Sequence, residues 1–410
     1  MIYFMKESFY RMDSYTSSIQ MTEEIFRRDG YMFEFETTVV SVDNDLVELE
    51  STAFYPGGGG QVCDTGTVRG EKVIDVHYAG DTIVHKIPNT KLKTGDRVWC
   101  SVDWDRRYDL MRGHTGEHLL FCSLKRQDPE LIITKIFISP ENKYVIVNHD
   151  VSWDNIRQAL IFANQAIRDE LPVTKSYISR DDPEISNIRI KLDRIEEGEE
   201  ISVVAIGDID LSACSGVHVM ETSELECMFV DRKVSAGKDG IAIHFKIGNA
   251  AKDSAMELAN ICLQAIEEAN SKPEDFIKTI ANMKHEAEVN REMMKSAAKQ
   301  QLSSLEPRII KGVPVYSGKY SADRNTIIEA AESFKNKGGV VAFVSASDTL
   351  SVIMASGNEK VDCKKILPEI LKGFGGRGGG KPDFAQGGIS DTSLAEDVLK
   401  KMLLSVEEAL

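Results

Sequence analysis

Residues 106–124 read R-R-Y-D-L-M-R-G-H-T-G-E-H-L-L-F-C-S-L, and within them Leu110, His114, Glu117, His118 and Phe121 recur at helical spacing. The segment predicts a helix starting near Asp105, with His114 and His118 on one face about 5–6 Å apart at Cβ. A second pair at the same interval, Cys214 and His218, stands in C-S-G-V-H. Imidazole nitrogen and thiolate sulfur are ligands that suit zinc better than magnesium or calcium. One such pair among eight His and seven Cys is as readily a buried, satisfied core pair. Two pairs, each with a glycine inside the motif, favour a zinc set of three His and one Cys.

Upstream of this helix, short β-branched runs alternate with turns: F-E-T-T-V-V-S-V from Phe35, L-V-E-L-E-S-T from Leu46, K-V-I-D-V-H-Y from Lys72, T-I-V-H-K-I from Thr82 and R-V-W-C-S-V from Arg97. Strand signals this close predict a small antiparallel barrel, preceded by a short helical or strand lead-in over the first 30 residues. Downstream, strands are predicted at Thr134–Ile138 and Tyr144–Asn148, a helix at Asp154–Glu170, and strands near Ile188–Leu192, Ile201–Ile206 and Gly240–Ile247. The second ligand pair falls just after Ile206, in a loop or helix start.

Residues 251–305 are polar and rich in Ala, Glu, Lys and Met; Ser271-Lys272-Pro273 ends one helix and starts another. In the second helix, positions 276, 280, 283, 287, 290, 294 and 297 keep a four-three stagger that is mostly apolar. That seam suits either packing on its own domain or a homodimer contact. The remainder reads as strand, helix, strand, strand, helix, glycine loop, helix. The fold class is therefore α+β: a small antiparallel β-barrel (1–104), an α+β zinc-containing domain (105–250), a helical linker (251–306) and a C-terminal α/β domain (307–410).

Length, charge and cysteine use narrow the function. At 410 residues the chain exceeds one typical core. No run approaches 18 consecutive apolar residues and the N-terminus lacks a signal segment, so no membrane association is expected and the protein reads as soluble and cytoplasmic. The seven scattered cysteines do not form a secreted disulfide framework. A net charge of −16 argues against nucleic acid binding by the chain as a whole. From Arg308 onward, however, 14 basic residues meet 13 acidic ones, and Lys372–Lys381 holds three cations and no acid.

Three further motifs carry chemistry. H-T-G-E-H also fits the inverted zinc peptidase signature H-x-x-E-H, in which the glutamate, here Glu117, activates water. A fourth protein ligand has no role in such a site, which must keep one position open. The loop F-Y-P-G-G-G-G-Q-V-C-D-T-G, residues 54–66, lets backbone approach a ligand closely and reads as substrate-facing. G-F-G-G-R-G-G-G-K-P-D-F-A-Q-G-G, residues 373–388, carries Arg377 and Lys381 on sterically permissive backbone suited to phosphate contact.

H-T-G-E-H-L-L, C-S-G-V-H-V, G-G-G-Q-V-C-D-T-G and G-G-R-G-G-G-K-P-D-F-A-Q-G-G together resemble, in order, the editing half and C-terminal domain of alanyl-tRNA synthetase. With about 30 residues ahead of the barrel, the chain looks like the freestanding long-form editing proteins of the AlaX family. The resemblance implies a deacylase acting in trans on alanine tRNA, tRNA(Ala), mischarged with serine or glycine. It implies His114, His118, Cys214 and His218 as Zn2+ ligands, the glycine loop as part of the aminoacyl pocket, and the last domain as a tRNA-binding and dimer-forming module with Lys372, Arg377 and Lys381 as contacts. The family's C-G-G-T-H reads C-S-G-V-H here, with Ser215 and Val217 replacing a glycine and a threonine, and the closing strand lacks the paired arginines of the family. The terminal domain also resembles one appended to phosphoesterases, but no Asp-His-His triplet is present.

Hydrolysis of an activated ester needs a positioned water and charge stabilisation. Glu117 and the backbone around Gly59 and Gly60 are the candidates to orient water; Gln61, Thr65 and Thr115 are candidates to read a serine hydroxyl. A non-catalytic RNA-binding module is the remaining alternative.

Overall fold

The computed structural model describes residues 21–190, 200–322, 324–346 and 349–410. The expected lead-in falls on residues 1–30, of which 1–20 lie outside the described residues. Its remainder forms β1 (Glu23–Glu24) and the single-turn α1 (Ile25–Arg28). Next come β2 (Glu34–Asp43), β3 (Leu46–Leu49), β4 (Ser51–Thr52), β5 (Gly66–Val68), β6 (Glu71–Val73), β7 (Asp75–Ala79), β8 (Thr82–Lys86) and β9 (Arg97–Val102). Seven of these strands form one antiparallel sheet in the order β6-β5-β9-β2-β3-β8-β7, a curled half-barrel with β6 and β7 at its ends. Alternation puts Val39, Val47, Leu49, Val76, Ile83 and Val98 inside.

α2 (Trp104–Gln127) starts where Asp103 accepts a hydrogen bond from the backbone N–H of Arg106, and it ends on Lys125 and Arg126, which favour a helix C-terminus. From Gly113 to Leu124 every residue is buried, so α2 is a central helix. It packs on a four-stranded antiparallel sheet ordered β10 (Ile133–Ile138), β11 (Lys143–Val147), β16 (Ile241–Ile247), β15 (Met228–Ser235), which α3 (Trp153–Arg168) also covers on the same side. A third sheet, β12 (Val173–Ile178), β13 (Ile201–Ile206), β14 (Asp210–Ala213), carries the second ligand pair just beyond its last strand. β12, β14 and β15 lie outside the strands expected from the sequence. The strand expected at Ile188–Leu192 is reduced to one bridge, Arg189 with Ser212, and residues 191–192 lie outside the described residues. One apolar core runs from Val47 and Phe54 of the barrel region to Leu119, Val145 and Phe245.

The chain divides into two compact units, the first ending at Leu263 and the second running Gln264–Leu410. The boundary falls inside α4 (Gly248–Glu268), which is followed by α5 (Phe276–Ser303). The second unit continues with β17 (Arg308–Ile310), β18 (Val313–Tyr320), α6 (Arg324–Asn336), β19 (Val340–Ala346), β20 (Leu350–Ser356), α7 (Cys363–Gly373), β21 (Arg377–Lys381), β22 (Phe384–Ile389) and α8 (Ala395–Ala409). Its six strands run β17-β18-β19-β20-β22-β21, with β18 and β19 parallel and the rest antiparallel. α7 and α8 cover one face, α6 and the end of α5 the other. The expected glycine loop at 373–388 is instead mostly the β21–β22 hairpin. A Cβ at Gly378 or Gly387 would strike Leu371 of α7, so these glycines let a helix lie directly on the strands. No helix among the described residues is long and apolar enough to cross a membrane.

Candidate metal centre

His114 and His118 project from α2, one turn apart, towards the loop that follows β14. Cys214 begins that loop, pinned by its N–H donating to the Ser202 carbonyl, and His218 ends it. The four side chains offer ligand atoms that all lie within 4.8 Å of one another. Cys214 Sγ is 3.3 Å from His114 Nε2 and 3.3 Å from His218 Nε2, close to the roughly 3.5 Å between neighbouring ligands of a tetrahedral N/S zinc site. The three rings enclose one point, with centroids 4.5, 4.9 and 5.4 Å apart. Gly216 is required here, because a Cβ would overlap the His114 ring. Its N–H donates to Cys214 Sγ at 3.4 Å.

Each imidazole is held by its other nitrogen. His114 Nδ1 donates to Gln61 Oε1 at 2.7 Å, His118 Nδ1 to Asp210 Oδ2 at 3.1 Å, and His218 Nδ1 to Thr115 Oγ1 at 3.1 Å. This fixes every ring with Nε2 towards the cluster, the outer-partner arrangement usual for metal-ligating histidine. Asp210 is itself held by Ser212 and Arg189. Burial by itself would raise the Cys214 pKa, but His114 and His218 pull it well below the usual thiol range. Burial pushes His218 down to about 3. Burial would also lower His118, yet Asp210 and Cys214 outweigh it and raise that ring to about 10. The pocket thus favours a thiolate beside neutral imidazole at His218.

Among the described residues, Glu117 and the Gln61 amide nitrogen, beside the cluster, are buried without a hydrogen-bond partner. Glu117 is fully buried with both carboxylate oxygens unpaired, and its Oε2 lies 3.8 Å from His118 Nε2. Gln61 Nε2 is buried and equally unpaired. A buried carboxylate is costly unless a cation sits nearby; the His118 ring supplies one when protonated, and a metal held by the four side chains would supply one when that ring is neutral.

The glycine loop meets this centre through Gln61. Gly58 and Gln61 exchange backbone hydrogen bonds of 3.0 and 2.9 Å around a turn whose glycines 57–60 all have positive φ. The turn is stitched to the edge of β10, where Ile138 N–H donates to the Gly60 carbonyl and Val62 N–H to the Ile138 carbonyl. Arg107, wholly buried, donates to Asp64, to the Ala53 carbonyl and to the Gly30 carbonyl, and Arg106 donates to the Cys63 carbonyl. The two arginines therefore clamp the loop to α2.

Residues 6–106 match the family model for tRNA synthetases class II (A), and residues 309–408 match the DHHA1 domain. Alanine–tRNA ligase of Methanoregula boonei is 28% identical over 410 residues, covering 95% of this chain and 44% of the ligase. The Saccharolobus islandicus enzyme of the same name is 30% identical over 407 residues, covering 95% of this chain and 45% of the ligase. Nearly the whole chain is similar to part of these alanine–tRNA ligases. It spans less than half the length of the curated relatives it matches. Among solved structures, the C-Ala domain of Aquifex aeolicus alanyl-tRNA synthetase matches at 23% identity, covering 26% of this chain and 98% of that domain, with a TM-score of 0.23.

The structure brings together His114, His118, Cys214, His218, Glu117 and Gln61. Gly59 and Gly60 form the turn just before Gln61. Thr65 stands apart: its carbonyl accepts from Asp103 N–H at the start of α2, about 15 Å along the helix axis from His114. Thr115, a candidate hydroxyl reader, is engaged by His218 and by Val219 N–H. Lys372, Arg377 and Lys381 are exposed in the second unit, the last two at the ends of edge strand β21. Asp210 and the clamp formed by Arg106 and Arg107 were not read from sequence. No spacing marks them, because they serve partners 43 to 92 positions away.

Proposed function

We propose that the first unit hydrolyses the ester of alanine tRNA mischarged with serine or glycine, at a zinc ion held by His114, His118, Cys214 and His218. The observation that carries this reading is the convergence of three imidazole Nε2 atoms on one thiolate, each ring set by a hydrogen bond at its Nδ1. The alanine–tRNA ligase relatives supply the substrate class. Bound there, zinc would supply a fixed positive charge that holds the aminoacyl group and favours negative charge at the ester.

The chain's own residues do the rest. Glu117 takes a proton from the water that attacks the ester carbonyl and returns it to the ribose oxygen as the carbon–oxygen bond breaks. Gln61 Nε2 is the free donor for the oxygen on which charge develops, with the Gly59 and Gly60 backbone beside it. Thr65 supports the loop. Serine is separated from alanine by polar groups that alanine would leave unpaired.

In the same reading, 1–104 and 105–250 act together on the ester and 251–306 links them to 307–410. That last part contacts the tRNA through Lys372, Arg377 and Lys381. α5 pairs two chains, and the protein works in the cytoplasm with the rest of translation. The test is release of amino acid from Ser-, Gly- and Ala-charged tRNA(Ala) by zinc-loaded protein, with and without chelator. The serine or glycine ester should be cleaved and the alanine ester spared, with activity lost in His114→Ala and Cys214→Ala. Survival of all three esters refutes the proposal; peptide cleavage that persists in Cys214→Ala would favour a peptidase, and tRNA retention without turnover a binding module.

A further inference from the structure

We propose that the open face of the β10-β11-β16-β15 sheet is a platform for unpaired RNA nucleotides. α2 and α3 cover the other face, and the strand register decides which side chains remain on this one. Phe137 pairs with Tyr144, Tyr144 with His244, and His244 with Arg232, so one row crosses all four strands. The Phe137 and Tyr144 rings stack with centroids 5.3 Å apart and planes 23° apart. Tyr144 lies 4.9 Å from His244, and Arg232 reaches His244 Nδ1 at 3.3 Å. Lys135 stands on the same face of β10, and Lys246 on the same face of β16, two positions from His244.

Three features select the occupant. The row spans three strand spacings, on the order of 14 Å, which accommodates two or three splayed bases as other aromatic sheet platforms do. The register puts Lys135, Arg232 and Lys246 on this face and no Asp or Glu, in a chain whose net charge is −16. Asp231, at the strand irregularity beside the row, is 10% exposed and pairs with Arg232. Protein interfaces deplete lysine, whereas stacked rings flanked by cations are the recurring surface for single-stranded nucleic acid. The platform does not require the hydrolytic reading to hold.

The test is binding of a short labelled unstructured RNA, and of a duplex of the same length, to the full chain. To remove the cations proposed for the second unit, all proteins also carry Lys372→Ala, Arg377→Ala and Lys381→Ala. Phe137→Ala with Tyr144→Ala should weaken binding of the unpaired RNA about tenfold or more, the size of one lost base stack, and leave duplex binding unchanged. Arg232→Ala with Lys246→Ala should make the salt dependence shallower. Phe137→Leu with Tyr144→Leu keeps the apolar bulk and should reproduce the loss, which settles the matter if the alanine pair misfolds. Unchanged binding in the leucine pair overturns the proposal, as does a preference for duplex. A change from dimer to monomer with RNA binding unaltered also overturns it, since the face would then be a contact between two copies.

Discussion

Gln61 accepts the hydrogen bond that decides which nitrogen of His114 faces Cys214. Gln61→Leu removes that acceptor, and metal affinity should fall about 10- to 100-fold in a chelator competition, with the circular dichroism spectrum unchanged. The buried pair of Arg107 and Asp64 acts one step further out. Arg107→Leu would leave a carboxylate and two carbonyls unmatched in the interior. It should destabilise the first unit by about 3–5 kcal/mol, measured as a lowered unfolding midpoint. The four candidate ligands, which the structure brings together, were legible because helical and loop spacing repeat in the chain itself. Asp210 was not, and Thr115 stood out only as a hydroxyl reader and not as the partner of His218, since an outer partner needs only to arrive in space and leaves no interval in sequence. Glu117 was visible as a motif position, but its burial followed only once α2 proved to be enclosed on every side.

α2 concentrates the candidate ligands because a helix buried all round can hold two side chains on one face and anchor a loop on another. Strands of the half-barrel were read from their alternation, and α2 to within a residue of its start. The glycine-rich segment near the C-terminus was misread as a loop, since sequence cannot distinguish glycines that permit mobility from glycines that let a helix sit on a hairpin. β8 carries a pH-sensitive group away from the metal. His85 is fully buried, its Nδ1–H donating to the Val47 carbonyl and its Nε2 accepting from Thr52 Oγ1. Burial holds its pKa at about 4 against 6.5 in the open chain. Between those values the unfolded state binds the proton and the folded state does not. The stability tied to His85 is therefore full above pH 6.5, declines as pH falls towards 4, and amounts to about 3 kcal/mol in total. Urea midpoints measured from pH 7 to 4 should show this slope, and His85→Gln should flatten it.

For the whole molecule, two units divide the work proposed: one around the metal centre, one with exposed cations on a glycine-rich edge. On the seam of α5, Met283 and Met294 are 53 and 65% exposed, apolar surface that a second chain would cover in the proposed dimer. Met283→Glu with Met294→Glu should shift the sedimenting species from dimer to monomer while metal binding persists; a wild-type monomer would remove α5 from the proposal. The acidic balance of the chain discouraged a nucleic-acid reading because net charge averages over faces, and only the sheet register separates a cationic face from an acidic remainder. X-ray absorption at the zinc edge of the loaded protein measures the central claim most directly. Three nitrogens at about 2.0–2.1 Å and one sulfur at about 2.3 Å are expected, with the sulfur absent in Cys214→Ala. A shell without sulfur in the unaltered protein would contradict it.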